Sequence, residues 1–187
     1  MFLFDVETLG IESTSVILSA AITYFDFDEK KSYQEYVQDS CFVKFDRAEQ
    51  ESLGRVVTPS TLEWWEKQAE IPRKVSLVPS KSDYSAIEGI TTLKKYIDAN
   101  GGNNQIIWAR GSLDQMAIDS LCRAVDLEPL TRYNNWRDVR TAVDFLSSTA
   151  SNGYCKIKNF NPDLHVIKHD PRNDCALDIM MLTQFED

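Results

Sequence analysis

The sequence predicts an α/β fold in which a mixed five-stranded sheet is flanked by helices, and three observations carry that reading. The first 45 residues are rich in short apolar runs of strand character separated by polar turns. From Thr58 onward the apolar spacing switches to the helical period. Strand-like runs then alternate with amphipathic stretches, a pattern that lays helices on a sheet with parallel members.

Taken in order, FLFDV at residues 2–6, SVILSAAITYFD at 15–26 and SYQEYVQDSCFVKF at 32–45 read as three strands of a meander, joined by charged turns such as DFDEKKS. TPSTLEWWEKQ carries an apolar stripe behind Ser60 as N-cap. SAIEGITTLKKYIDANGG sets Ile87, Ile90, Leu93 and Ile97 on one face and stops at two glycines. QIIWA is a short strand, and a helix from Ser112 turns Leu113, Met116, Ala117, Leu121 and Ala124 inward. A fifth strand falls at NNWRDV, after which Thr141 caps a helix through AVDFLSS. Trp108 and Trp136 lie in strand contexts and are expected in the core. The polar stretch TASNGYCKIKN is expected to be a mobile loop. HDPRNDCALDIMMLTQF supplies the last helix, with Asp170 as N-cap and Pro171 at the first helical position. No repeat or linker interrupts the chain, so residues 1–187 are expected to form a single domain.

Bulk properties narrow the function. At 187 residues and 43% hydrophobic, the chain is large enough for one substantial core. A net charge of -9 opposes a broad phosphate-binding surface, yet permits a nucleic-acid enzyme whose acidic site is neutralised by divalent cations. No apolar run approaches the ~20 residues of a membrane span, and the N-terminus lacks a basic-then-apolar leader. The expectation is a soluble cytoplasmic protein without a membrane partner. Cys41, Cys122, Cys155 and Cys175 are scattered, which fits free thiols better than disulfides or a zinc site.

The candidate chemistry lies in carboxylates. Residues two apart on a strand share a face, so Asp5 and Glu7 project together at the end of the first strand and repel each other unless solvated or shared by a cation. Alone, the triplet reads as readily as a solvated turn. Asp114 opens the helix that follows QIIWA, at the end of a parallel sheet where sites gather, although Asp also favours helix N-termini for electrostatic reasons. His169 stands just before the final helix and Asp174 one turn inside it. His165 with Asp170 has the same spacing, but Asp170 precedes Pro171 and reads as a cap.

In this order, D-x-E near the N-terminus, an Asp opening a mid-chain helix and H-x-x-x-x-D opening the last one resemble the DEDDh 3'-5' exonucleases, the DnaQ-like superfamily with an RNase H-like fold. FDVETLG, TPSTLEWWEKQ, WRDVRT and HDPRNDCALDIMM further resemble the exonuclease A group of T-even-type bacteriophages. The resemblance implies that Asp5, Glu7, Asp114 and Asp174 bind two divalent cations, Mg2+ with Mn2+ as substitute, Asp5 bridging them and Glu7 near the terminal 3'-OH. Cations ~4 Å apart serve both the attacking water and the leaving oxygen. His169 is then the proton acceptor, since an imidazole titrates near neutral pH.

For substrate contacts, Thr8 and Leu9 follow the first motif, where the family uses backbone and a small apolar wedge against the terminal nucleotide. Trp64 and Trp65 diverge by about 100° on a helix, so one packs and one is free to meet a base; Trp65 is counted among the nucleic-acid contacts. The superfamily commonly has Asn and Phe ahead of the middle Asp, whereas this chain has ARGSLD; Arg110 reads as a phosphate contact or a structural ion pair. Asp178, one turn beyond Asp174, is either a supporting group or a solvated acid. The resemblance implies 3' ends of single strands as substrate, DNA favoured over RNA, and the cytoplasm of a phage host as location. An RNA exonuclease and a catalytically idle binding domain are the alternatives.

Overall fold

The structure, a computed structural model, describes every residue except 103, 104, 149, 162, 163, 165 and 187. Its frame is one five-stranded sheet built from β1 (Phe2–Thr8), β2 (Ile17–Tyr24), β3 (Cys41–Lys44), β4 (Ile107–Ala109) and β5 (Trp136–Asp138), in the order β3-β2-β1-β4-β5. The first three strands pair antiparallel, and β4 joins β1 and β5 in parallel. The sheet is therefore mixed and five-stranded, the RNase H-like arrangement expected.

The helices are α1 (Tyr33–Asp39), α2 (Arg47–Ser52), α3 (Pro59–Glu66), the short α4 (Glu70–Pro72), α5 (Ala86–Ala99), α6 (Leu113–Ala124), α7 (Val139–Leu146) and α8 (Pro171–Thr183). Strand alternation divides them between the two faces of the sheet. Phe2, Phe4 and Val6 of β1 point into a core closed by Ile90 and Leu93 of α5 and by Ala117, Ile118 and Leu121 of α6. Leu3 points the other way, into a core with Tyr33 and Tyr36 of α1, Val143 of α7, and Cys175, Ala176 and Ile179 of α8. Asp5 and Glu7 share the parity of Leu3, so β1 aims them at the face that α8 covers.

Four local expectations are corrected. The segment 32–45 is a helix followed by a four-residue strand, not one strand. Ser32 accepts from the Glu35 N–H while the Glu35 carboxylate accepts from the Ser32 N–H, a reciprocal cap that starts α1. Helix α3 starts at Pro59 behind Thr58 rather than at Ser60. Asp138, not Thr141, caps α7, taking the N–H groups of Arg140 and Thr141 and the Thr141 hydroxyl at 2.6 Å. The buried stripe of α6 runs through Asp114, Ala117, Ile118, Leu121 and Cys122, leaving Met116 and Ala124 exposed, and Ile87 of α5 is exposed too. The final helix is as expected: Asp170 caps α8 and Pro171 is its first residue. No helix among the described residues is long and apolar enough to cross a membrane.

Candidate active site

The four carboxylates reach the site on three elements. Asp5 and Glu7 ride on β1, whose register with β4 ends at Leu3, so the Val6 N–H lies beyond the shorter neighbouring strand. Asp114, in the first turn of α6, fills that gap, and its Oδ1 accepts from the Val6 N–H at 3.1 Å. A backbone donor that the sheet leaves open thus fixes a carboxylate beside Asp5 and Glu7. Asp174 comes from the first turn of α8, where its Oδ2 accepts from the His169 N–H at 3.1 Å.

His169 holds a left-handed backbone conformation, φ 63°, unusual for a residue other than glycine. The bond to Asp174 supports that conformation. It turns the imidazole toward β1, where Nδ1 lies 3.4 Å from Glu7 Oε1. Two edge-on tryptophans confine the ring, Trp64 with its centroid at 4.9 Å and Trp65 at 6.0 Å. Ligand atoms of Glu7, His169 and Asp174 all lie within 4.8 Å of one another. Asp170 is buried, spent on capping Arg172 N and pairing with the Arg172 guanidinium at 2.6 and 2.9 Å, as its reading as a cap requires. His165 lies outside the described residues.

Burial and mutual repulsion make this cluster costly as a set of bare anions. Burial holds the Asp5 carboxyl well above the ordinary carboxylate range, and Asp114, Asp174, Glu7 and Asp178 push it the same way. Burial also lifts Asp114 to about 7 despite the Val6 N–H, and lifts Asp174 to about 7 with Glu7 adding to the rise. Glu7 is raised by burial and partly relieved by His169, while the bond to Glu7 raises the His169 imidazole. Among the described residues no hydrogen-bond donor reaches the Asp5 carboxylate, and Glu7 has His169 as its partner. An all-oxygen set with an unserved central carboxylate fits hard divalent cations.

The side chains expected to contact substrate are mostly buried or paired. Leu9 is 0% exposed and packs with Val16, Leu18 and Trp65. The apolar side chain displayed on this turn is Ile11, 78% exposed two residues on. Thr8 is buried, its hydroxyl donating to the Gly10 carbonyl at 2.6 Å. Trp65 is 1% exposed and donates its indole N–H to the Thr8 carbonyl at 3.0 Å; Trp64, 42% exposed, is the open tryptophan beside His169. Leu62 and Trp65 are three residues apart and share the stripe that meets Leu9, which decides which tryptophan turns inward. Arg110 is committed to an ion pair with Asp178 at 2.6 Å and does not project freely toward a phosphate.

The chain is similar to known exonucleases along nearly its whole length. The model of the 3'-5' exoribonuclease Rv2179c-like domain matches residues 1–181. The chain is also 30% identical to the exodeoxyribonuclease of Enterobacteria phage T4 over 200 aligned positions, which cover 97% of this chain and 86% of that protein.

Proposed function

The chain belongs to the 3'-5' exoribonuclease Rv2179c-like domain family and is a 3'-5' exonuclease; we propose that it acts on single-stranded DNA, as one domain, releasing mononucleotides by hydrolysis at a two-cation site. The observation that carries this reading is the convergence of Asp5, Glu7, Asp114 and Asp174 on one end of β1, with His169 held against Glu7. DNA is preferred because the relative that matches nearly the whole chain is named an exodeoxyribonuclease. The family's name favours RNA as the second reading.

Asp5, Glu7, Asp114 and Asp174 would hold the cations, Mg2+ or Mn2+, with Asp5 central. Bound there, divalent cations supply Lewis acidity to the attacking water and to the leaving 3' oxygen. The protein's own part begins with Glu7, which accepts from His169 Nδ1 and leaves the Nε2 lone pair free. His169 takes a proton from water as the water oxygen bonds to phosphorus. The bond from phosphorus to the 3' oxygen breaks, and that oxygen is protonated from solvent. Trp64 and Trp65 restrict rotation of the imidazole, so the accepting nitrogen stays aimed. Trp64 and Ile11, the exposed side chains at this end, are assigned to the terminal bases, which stack on aromatic and apolar surfaces irrespective of sequence.

The test uses 5'-labelled DNA and RNA strands of one sequence, with Mg2+, Mn2+ or EDTA. The expected result is a ladder shortened from the 3' end, faster on DNA, and absent in EDTA. Asp114→Ala is expected to lower the rate roughly a thousandfold or more while the protein stays folded. Wild-type cleavage in EDTA or by the folded variant would sink the mechanism, and a faster RNA ladder would reverse the sugar assignment.

A further inference from the structure

We propose that Arg110 is a positioning residue that keeps Asp178, a fifth carboxylate, out of the cation-binding set. Asp178 lies one helical turn beyond Asp174, and residues four apart on a helix share a face, so α8 presents both acids toward the end of β1. It is buried, and its charge acts on Asp5, Asp114 and Asp174, adding to the rise that burial causes in each. Left alone it would be a further oxygen donor beside a site that needs open positions for phosphate and water.

Arg110 occupies it instead. The guanidinium grips the Asp178 carboxylate with Nε at 3.1 Å from both oxygens and Nη2 at 2.6 Å from Oδ1. Nη2 also donates to the Gly153 carbonyl at 3.0 Å and Nη1 to that of Asn152 at 3.4 Å, and the group lies over the Tyr154 ring at 4.5 Å. That segment is itself anchored to α7, because Asp144 accepts from the Gly153 N–H at 2.9 Å and the Ser151 N–H at 3.2 Å. The fork is thus fixed from three sides, which a lysine's point charge would not reproduce. Arg110 directly follows β4, four residues ahead of Asp114, so the strand that positions Asp114 also positions the group that occupies Asp178. Arg110 partly offsets the charge that Asp178 places on the cluster; unpaired, Asp178 would act undiminished and offer a ligand.

The role presupposes the proposed cation site, so Mn2+ binding to wild-type protein is measured first by titration calorimetry at about pH 8, above the value of about 7 to which Asp114 and Asp174 are lifted. Arg110→Met is expected to bind Mn2+ roughly fivefold tighter, the order set by one added charge at a solvated site, and to hydrolyse DNA more slowly. Arg110→Met with Asp178→Asn is expected to return the half-saturating Mn2+ concentration to the wild-type value. Both variants must melt cooperatively before the comparison is made. If wild type binds no Mn2+, the cation site itself fails. If wild type binds and Arg110→Met binds identically, or the double variant keeps the tighter binding, Arg110 is only a structural ion pair and this proposal is wrong.

Discussion

Trp64 and Trp65 show how much one position along a helix decides. Both were visible as a divergent pair, and the divergence itself follows from helical geometry alone. Which one turns inward depended on Leu62 and Trp65 meeting Leu9, Val16 and Leu18, a contact between segments more than 40 residues apart that no local pattern encodes. Arg110 was open for the same reason: its partner Asp178 is 68 positions away. By contrast the placement of Asp5, Glu7, Asp114, His169 and Asp174 at a strand end or a helix start is legible, because the sequence marks those boundaries. The tryptophans separate in experiment. Trp65→Ala is expected to cost about 3–5 kcal/mol in urea unfolding, through the cavity and the orphaned Thr8 carbonyl. Trp64→Ala is expected to change stability by less than about 1 kcal/mol and to raise KM for single strands. Equal losses of stability would contradict the assignment of the two rings.

At the scale of elements, α5 depends on a close approach. Gly89 lies in its first turns, where an added Cβ would overlap the Phe45 ring and lie 2.8 Å from Val43 Cγ1. Alanine normally stabilises a helix interior by about 1 kcal/mol relative to glycine. Here the contact with β3 and the residue after it is expected to reverse the sign, because overpacking costs about 1–3 kcal/mol. Gly89→Ala should therefore lower the urea midpoint; a raised midpoint would show that α5 can shift away without loss. Helix α1 marks where element reading failed. SYQEYVQD has strand-like aromatic and β-branched residues, but its S-x-x-E start and its buried tyrosines at 33 and 36 are helical features. The run into the true strand CFVKF hid the boundary, since only Ser40 separates α1 from β3. The phase of α6 shifted because Asp114, assigned to the site, is also part of the buried stripe.

Across the whole molecule, the two faces of one sheet bear different loads. The α5 and α6 face is an apolar core, while the α8 face carries apolar packing at one end and a buried acid cluster at the other. The cluster makes stability a function of pH and cation together. Asp114 and Asp174 sit at about 7 when folded and near 3.8 otherwise, so the folded state holds more protons than the unfolded state between those values. Without divalent cations, stability should therefore fall as pH rises from about 4 to about 7 and level off above, the reverse of a salt-bridged carboxylate. A cation must displace those protons, so its affinity should climb through the same window. Melting at about pH 5 and about pH 8, with EDTA and with Mg2+, tests both halves. At the higher pH a saturating cation, at about a hundred times its Kd, contributes about 2.7 kcal/mol. For a chain of this size that raises Tm on the order of 5 to 10 °C. At the lower pH the shift should nearly vanish. A Mg2+ shift as large at the lower pH as at the higher would mean that the cation is not held by these acids. Asp114→Asn should weaken the shift and make the pH dependence in EDTA shallower, because one of the carboxyls that couple protons to cations is gone while Asp174 remains.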